Sequence, residues 1–151
     1  MDIMSKAGLV DVIRGLTQPV LGVCLGMQLL FDKSPEKADS ADPDTSLLGI
    51  TPGDCAAFIP AIERSVPHMG WNSLDFTRDH ALLDGIEQGA HVYFVHSYFA
   101  PIADATIASC TYGDTFTAMV ADGNFMGCQF HPERSGPVGA RILQNFLEMP
   151  A

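Results

Sequence analysis

The alternation of apolar and polar positions predicts short strands framed by helices. Residues 3–16 carry apolar side chains near helical spacing, which predicts an amphipathic helix ending close to Gly15. Residues 19–24 form an apolar run with β-branched members, as in a parallel strand that is buried on both faces. Residues 25–31 stay apolar but contain Leu, Met and Gln, which favour helix. The pattern therefore predicts a strand, a sharp turn and a helix, with Cys24 at the junction.

The rest of the chain predicts more strands and two further helices. Residues 32–46 are polar and contain Pro35 and Pro43, which is typical of a surface loop. Strand character is found at residues 47–50, 55–59, 70–74, 91–98, 105–110, 115–120 and 125–130. Asp122-Gly123 joins the last two of these as a hairpin turn. Helices are expected over residues 80–86 and 139–149, and the second would bury one face formed by Ile142, Leu143, Phe146 and Leu147. These elements predict an α/β sheet with some antiparallel strands.

Composition and charge narrow the class of protein. With 151 residues, 47% of them hydrophobic, the chain has material for one domain with a real core. The formal charge of -10 argues against a nucleic-acid partner or an anionic membrane surface, which need clustered Lys and Arg. No apolar run is long enough for a membrane span, and no signal peptide is visible. The four cysteines form no CxxC pair, so we expect reduced thiols and a cytoplasmic protein.

The segment Gly22-Val23-Cys24-Leu25-Gly26 has the form of a nucleophile elbow, G-x-C-x-G. The flanking glycines would remove Cβ clashes where the strand turns into the helix, which leaves Cys24 in a strained, exposed turn. The helix N-terminus would lower the pKa of the thiol, and the backbone N–H of Leu25 would point at a developing oxyanion. The alternative is a small apolar cysteine in a core strand, since free Cys is often buried.

A second candidate group follows the last predicted strand. Pro132 disfavours helix at His131, so residues 131–133 should stay extended, with His131 and Glu133 pointing the same way. The carboxylate of Glu133 could then fix the tautomer of His131, and Cys24 would complete a Cys-His-Glu triad. The alternative is a surface histidine beside an unrelated acid.

At these residues the chain resembles the class I, or triad, glutamine amidotransferases. The elbow continues as Gly-Val-Cys-Leu-Gly-Met-Gln-Leu-Leu, and the second segment reads Gly-Cys-Gln-Phe-His-Pro-Glu-Arg-Ser. Residues 66–72 (Val-Pro-His-Met-Gly-Trp-Asn) and 92–98 (Val-Tyr-Phe-Val-His-Ser-Tyr) are similar to the glutaminase subunits of imidazole glycerol phosphate synthase, an enzyme of histidine biosynthesis. The four motifs occur in the family's order, and the resemblance spans residues 8–147. It implies a three-layer, flavodoxin-like α/β fold with a mostly parallel sheet and an antiparallel hairpin.

The resemblance also implies a mechanism without any cofactor. Cys24 would attack the side-chain amide of glutamine, His131 would protonate the leaving ammonia and later activate water, and Glu133 would orient His131. Four further residues would bind the substrate: Gln28, Glu36, Ser97 and Tyr98. Glu36 suits the glutamine ammonium, which needs an anionic partner, although it could equally be a solvated loop acid.

By the same resemblance, a cyclase subunit with a (β/α)8 barrel docks over this face to form a heterodimer and receive ammonia. The matching positions are Met69, Trp71, Asn72, Tyr93 and Arg134. Trp, Tyr, Met and Arg are enriched in interface cores, although each of these residues could instead pack in the core. His68, His91 and His96 match no usual metal-ligand spacing, so we expect structural or interface roles for them and no metal site.

The chain departs from the family pattern at its start. By resemblance, the family's chains are longer at the N-terminus, where they supply the first strands and a Pro-Gly-Val-Gly loop that completes the oxyanion hole. No Pro-Gly-Val-Gly occurs here, and Pro52-Gly53 lies after Cys24. We therefore expect residues 1–151 to be one partial domain that lacks the first strands. Either Met1 is an internal methionine, or the chain is a fragment or an alternative gene model.

Three interpretations of the function are compatible with these residues. The leading one is the glutaminase subunit of imidazole glycerol phosphate synthase. The second is another class I amidotransferase subunit or a γ-glutamyl hydrolase, and residues 68–72 point away from it. The third is a truncated subunit that docks a cyclase without hydrolysing glutamine.

Overall fold

The computed structural model describes residues 1–36, 44–62 and 64–150. Residues 37–43 of the predicted 32–46 loop lie outside this range. The helices are α1 (Asp2–Lys6), α2 (Leu9–Arg14), α3 (Leu25–Gln28) and α4 (Gly136–Leu147), with 3-10 turns at Ala81–Leu83 and Pro132–Arg134. The strands are β1 (Val20–Val23), β2 (Lys33–Ser34), β3 (Thr45–Ser46), β4 (Ala56–Ala57), β5 (His68–Ser73), β6 (Asp75–Phe76), β7 (His91–His96), β8 (Tyr98–Phe99), β9 (Thr106–Tyr112), β10 (Asp114–Asp122) and β11 (Phe125–Cys128).

The main sheet has five strands in the order β1-β11-β10-β9-β6. β1 and β11 pair in parallel, whereas β11, β10, β9 and β6 pair antiparallel. The mixed α/β sheet is therefore confirmed, but in the described part of the chain it holds less parallel pairing than the predicted mostly parallel sheet. β1 lies at one edge, and for this reason its residues are only half-buried rather than buried on both faces as expected.

Two apolar clusters cover the two faces of this sheet. The larger one contains Phe94, Phe116, Phe130 and Ile142 and packs α4 and the antiparallel β5–β7 pair against one face. The other contains Met27, Phe31, Val120 and Phe125 and holds α3 against the opposite face. Neighbouring residues of β11 take part in opposite clusters, as the pleat of a strand requires, since Phe125 belongs to the second and Met126 to the first.

The helices differ most from prediction. The expected helix over residues 3–16 is interrupted at Gly8, whose φ of 68° ends the helical path and separates α1 from α2. Residues 80–86 form only the short Ala81–Leu83 turn. α4 starts at Gly136 rather than residue 139 and buries Ile142, but Leu147 is 81% exposed, so its place on the buried face was wrong. None of the described helices is long and apolar enough to cross a bilayer.

Most predicted strands are present. The β10–β11 hairpin is confirmed, with Asp122 facing Phe125 and Gly123 at a φ of 57° in the turn between them. Residues 47–50 are not a strand. The short strand there is β3, which pairs with β2 inside the segment predicted as loop. Residues 91–98 divide into β7 and β8, which pair with different partners, β5 and β4.

Candidate active site

Cys24 occupies a sharp turn between β1 and α3. Its φ of 52° and ψ of -110° make it the one non-glycine residue with a positive φ in the described part of the chain. Such a conformation is strained and is typical of functional sites. A side chain at Gly22 would collide with the backbone of Gly26 and Met27, whereas a Cβ on Gly26 would meet open space. The glycine requirement predicted for the elbow is thus confirmed at Gly22 and not at Gly26.

A pair of glycines lets α3 lie directly on the sheet. Gly22 of β1 faces Gly127 of β11 across the parallel pairing. A Cβ on Gly127 would collide with the side chain of Met27, just as one on Gly22 would strike the first turn of α3. Because neither residue has a side chain, α3 can approach the sheet closely, and this close approach sets the position of Cys24.

The thiol of Cys24 lies in a partly buried setting of mixed polarity. Its Sγ is 3.9 Å from the carbonyl oxygen of Val95 and 3.7 Å from Nε2 of Gln129. Burial raises the pKa of this thiol; the N–H of Leu25 lowers it, and the charge of Glu36 raises it further. The predicted lowering of this pKa is therefore wrong. The N–H of Leu25, the first residue of α3, acts in the predicted direction, but burial outweighs it.

His131 and Glu133 form the predicted pair. Nδ1 of His131 lies 2.7 Å from Oε1 of Glu133. His131 itself is extended, with φ -99° and ψ 98°, but Pro132–Arg134 is a 3-10 turn. The contact is therefore made across a turn and not along an extended segment as predicted. In this arrangement the carboxylate accepts from Nδ1, which leaves Nε2 of His131 to exchange a proton with a substrate.

Ser135 fastens this turn to β7, a role that sequence reasoning missed. The hydroxyl of Ser135 accepts from the N–H of Tyr93 at 2.9 Å and donates to the carbonyl oxygen of His131 at 2.7 Å. The N–H of His131 donates to the carbonyl oxygen of Tyr93 at 2.9 Å. Because Ser135 is almost fully buried, these bonds hold His131 in place without water. The available signal was a small polar residue two positions after Glu133 of the His-Pro-Glu segment.

The parallel pairing of β1 with β11 brings Cys24 and the His131–Glu133 pair to the same end of the sheet, at the carboxyl ends of these two strands. β1 and β11 are parallel neighbours with Val23 opposite Cys128, so their carboxyl ends lie side by side. Cys24 follows β1 directly, and His131 follows β11 after two residues. The N–H of Cys24 donates to the carbonyl oxygen of Cys128 at 2.8 Å. Among the described hydrogen bonds, none joins Cys24 to His131, and the thiol is directed at Val95 and Gln129 instead.

The predicted substrate-binding residues surround the carboxyl ends of β1 and β11. Gln28 is buried and donates from Nε2 to the carbonyl oxygen of Tyr98 and to Oε1 of Gln129. Glu36 is exposed and lies close enough to influence the thiol of Cys24. Ser97 and Tyr98 sit at the break between β7 and β8, partly exposed.

The predicted partner residues divide into two groups. Met69 and Trp71 are 62% and 56% exposed on one face of β5. The ring of Trp71 meets Tyr93 edge-on at 6.1 Å, and Arg134 lies over Tyr93 at 5.1 Å. We call Met69, Trp71, Tyr93 and Arg134 the aromatic patch. Asn72 lies on the opposite face of β5 and donates from Nδ2 to the carbonyl oxygen of Thr111, so the structure does not bring it into the patch.

His68 and His96 form a buried pair beneath the site. Nδ1 of His68 is 3.0 Å from Nε2 of His96, and Nδ1 of His96 is 2.8 Å from the carbonyl oxygen of Tyr98. Burial lowers the pKa of each to about 4, so both are neutral. His91, by contrast, is exposed at the start of β7. Within the described ranges, no group of three or more His, Cys, Asp or Glu residues could hold a metal ion.

The comparisons with known proteins agree with this geometry. The model of the family "Glutamine amidotransferase class-I" matches residues 3–149. The fold is shared with a GMP synthase protein from Thermoplasma acidophilum, with a TM-score of 0.63 and 17% identity over 93% of this chain and 61% of that one. A crystal structure of a glutamine amidotransferase gives a TM-score of 0.62 and 20% identity, over 97% of this chain and 70% of that one. Fold, site and family model together define a class I glutamine amidotransferase.

Curated relatives narrow the family further. The chain is 48% identical to the imidazole glycerol phosphate synthase subunit HisH of Shewanella oneidensis, over 97% of this chain and 71% of that protein. It is 49% identical to the same subunit of Xanthomonas axonopodis pv. citri, over 99% of this chain and 72% of that protein. For the Vibrio cholerae subunit the identity is 44%, over 97% and 71%. The chain belongs to the HisH family of imidazole glycerol phosphate synthase subunits.

Proposed function

We propose that this chain hydrolyses glutamine to glutamate and ammonia through a thioester on Cys24 and supplies the ammonia to a synthase subunit in histidine biosynthesis. The observation that carries the proposal is that Cys24, in a strained elbow, lies at the same end of the sheet as the hydrogen-bonded His131–Glu133 pair. Membership of the HisH family supports it. We treat residues 1–151 as one amidotransferase domain, because both apolar clusters pack on one sheet.

The proposed reaction has two halves. In the first, His131 takes the thiol proton as Sγ of Cys24 attacks the side-chain amide carbon of glutamine, and the N–H of Leu25 stabilises the resulting oxyanion. His131 protonates the leaving nitrogen, the C–N bond breaks, and ammonia departs from a γ-glutamyl thioester. In the second, neutral His131 takes a proton from water, which attacks the thioester; the C–S bond breaks and glutamate and the thiol are released. Glu133 holds His131 through Nδ1 in both halves.

We assign the binding of glutamine to residues around the carboxyl ends of β1 and β11. The exposed carboxylate of Glu36 would pair with the substrate ammonium, and Ser97 and Tyr98 would hold the amino-acid head. Gln28 already uses its side-chain N–H groups within the chain, so a substrate contact falls to its side-chain oxygen.

The proposed partner is a cyclase subunit of the (β/α)8-barrel type, docked on the aromatic patch. The patch adjoins the site, since Arg134 follows Glu133 directly and Tyr93 is bonded to the backbone of His131. Exposed Trp, Tyr, Met and Arg side chains are the usual anchors of protein interfaces. The proposed setting is the cytoplasm, where a nucleophilic thiol stays reduced.

The test of the reaction is Cys24→Ala in the complex with the synthase partner. Glutamine-dependent synthesis should fall about 1,000-fold or more, as for loss of a catalytic nucleophile, while synthesis from added ammonia should persist. Cys110→Ala, which removes a buried thiol of β9, is the matched control and should keep both activities. Loss of both activities in Cys24→Ala would contradict the proposal. Labelling of Cys24 by a glutamine-analogue electrophile separates an active enzyme from a docking subunit, which would stay unlabelled even with the partner bound.

The test of the docking surface is Trp71→Ala. Truncating a central interface tryptophan typically costs about 2 kcal/mol or more, so partner affinity should fall about 30-fold. Leu147→Ala removes an apolar side chain of α4 that is 81% exposed and lies outside the patch, and it should leave affinity unchanged. Equal affinities for wild type and Trp71→Ala would place the partner elsewhere.

A further inference from the structure

Gln129 is a fully buried polar residue beside the nucleophile, and the reaction as described assigns it nothing. It follows the last residue of β11, where the strand end passes under α3. Its N–H donates to the carbonyl oxygen of Ala118, which fixes the backbone. Its side chain then lies between two polar groups. Oε1 accepts from Nε2 of Gln28 at 2.9 Å, and Nε2 lies 3.7 Å from Sγ of Cys24.

The hydrogen-bond network determines which end of this amide faces the sulfur. The carbonyl oxygen of Tyr98 can only accept, so the side-chain group of Gln28 that lies 2.8 Å from it must be the NH₂. The second hydrogen of that NH₂ is directed at Gln129, which must therefore present its oxygen. The NH₂ of Gln129 is left facing Cys24.

The buried histidines anchor the far end of the same network. Nδ1 of His96 lies 2.8 Å from the carbonyl oxygen of Tyr98, so it must carry the proton, and Nε2 of His96 accepts from Nδ1 of His68. Nε2 of His68 is then an acceptor for Nδ2 of Asn72 at 3.4 Å. The carbonyl of Tyr98 receives both His96 and Gln28, and its position is fixed from two sides.

We propose that Gln129 is a positioning residue of the nucleophile, with an amide N–H that is locked toward Sγ of Cys24 and favours its thiolate form. This deepens the proposed function but does not depend on hydrolysis being observed. Three influences oppose the thiolate: burial and the charges of Glu36 and Glu133. The donors that favour it are the N–H of Leu25 and the amide of Gln129. During the reaction Leu25 is directed to the oxyanion, so Gln129 is the donor that stays with the sulfur.

The experiment measures the alkylation rate of Cys24 by iodoacetamide against pH, with the Cys24 peptide quantified by mass spectrometry and no glutamine present. Gln129→Met keeps the volume and removes the donor, and the midpoint of the profile should rise by about one pH unit, which is about ten-fold slower alkylation near neutral pH. Gln129→Glu keeps the oxygen facing Gln28 and places a carboxylate oxygen near the sulfur, so its midpoint should rise further. Gln144→Glu, on the exposed face of α4, is the matched control and should leave the midpoint unchanged.

The order of midpoints decides the outcome. A raised midpoint in Gln129→Met supports the proposal, because that variant keeps the volume and removes the donor. A further rise in Gln129→Glu supports the assignment of this side chain to the sulfur, because a carboxylate there disfavours the thiolate. Wild-type midpoints in both variants, with normal thermal unfolding, would overturn it. If neither variant folds, Gln28→Met carries the test: it frees the amide of Gln129 to turn over, so an unchanged midpoint there overturns the proposal and a raised one supports it. Because alkylation needs no turnover, a failed glutaminase assay with the expected midpoints would count against the proposed function alone.

Discussion

The buried pair His68 and His96 should make the stability of this chain fall sharply in mild acid. Each side chain is almost completely buried, and burial lowers each pKa from 6.5 to about 4. The nearby His131 lowers the pKa of His96 further, and the mutual contact works in the same direction. In the unfolded chain both histidines would titrate near their ordinary value.

The direction of the effect follows from proton uptake. Above pH 6.5 both states hold the histidines neutral, so full stability is present. As pH falls below 6.5, His68 and His96 bind protons in the unfolded chain but stay neutral in the folded chain. The free energy of unfolding therefore declines until the pH reaches the folded-state pKa of about 4. Each histidine contributes about 1.4 kcal/mol per pH unit in that window. At pH 5.0 the loss relative to pH 7.5 is about 2 kcal/mol per histidine and about 4 kcal/mol for the pair, a large share of the usual 5–15 kcal/mol.

The assay is urea unfolding at pH 7.5 and pH 5.0, followed by circular dichroism and by the fluorescence of Trp71. The double variant His68→Phe/His96→Gln keeps the stacking of residue 68 on Phe94 and removes both titrations. Its two free energies of unfolding should differ by about 1 kcal/mol or less. His91→Gln, at an exposed position of β7, should retain the full acid loss. A wild-type loss below about 1 kcal/mol, or a full loss in the double variant, would refute the reasoning.

Three further predictions follow from the geometry of the site. Gly22→Ala should lower the free energy of unfolding by about 2–3 kcal/mol in thermal denaturation, because its Cβ collides with the start of α3, and Gly26→Ala, which meets open space, should change it by less than about 1 kcal/mol. Gly139→Ala would collide with the carbonyl group of Pro132, so it should cost about 2 kcal/mol of stability and about ten-fold in glutamine hydrolysis; unchanged turnover would show that the 3-10 turn tolerates the shift. Iodoacetamide should label Cys24 alone in the native chain and all four cysteines in urea, because Cys24 is partly exposed whereas the other three are buried; native labelling of a second thiol would contradict this.

Local pattern was sufficient to predict the elbow and the hairpin. The Gly22–Cys24 segment and the Asp122-Gly123 turn both depend on backbone conformations that few residue types can adopt, and the structure contains both. The helix over residues 3–16 failed for a related reason. Its apolar spacing is correct, but a single glycine in the left-handed region at Gly8 divides it. The spacing of apolar residues shows which face of a helix is apolar, but it does not show whether the helix continues without a break.

The polar residues around the nucleophile were harder to predict because their roles depend on contacts between distant parts of the chain. Gln129 meets Gln28 across 101 positions, and Gln28 meets Tyr98 across 70. Asn72 was predicted for the partner surface from the family resemblance, but the pleat of β5 turns it to the opposite side, toward Thr111. The sequence motifs were sufficient to predict that these side chains lie near the site. Which group each one faces depends on the register of β1, β5, β7 and β11, which the motifs do not contain.

The site combines two demands that conflict in an amidotransferase. Ammonia must not be lost to water, which favours a buried nucleophile, yet burial raises the pKa of the Cys24 thiol. The charge of Glu36 adds to that cost before glutamine binds, although a bound glutamine ammonium would neutralise it. Under the proposed function, substrate therefore removes one of the influences that keep Cys24 protonated, while Gln129 continues to favour the thiolate. A thiol that burial keeps protonated until glutamine arrives is protected from wasteful oxidation or alkylation, since the thiolate is the reactive form.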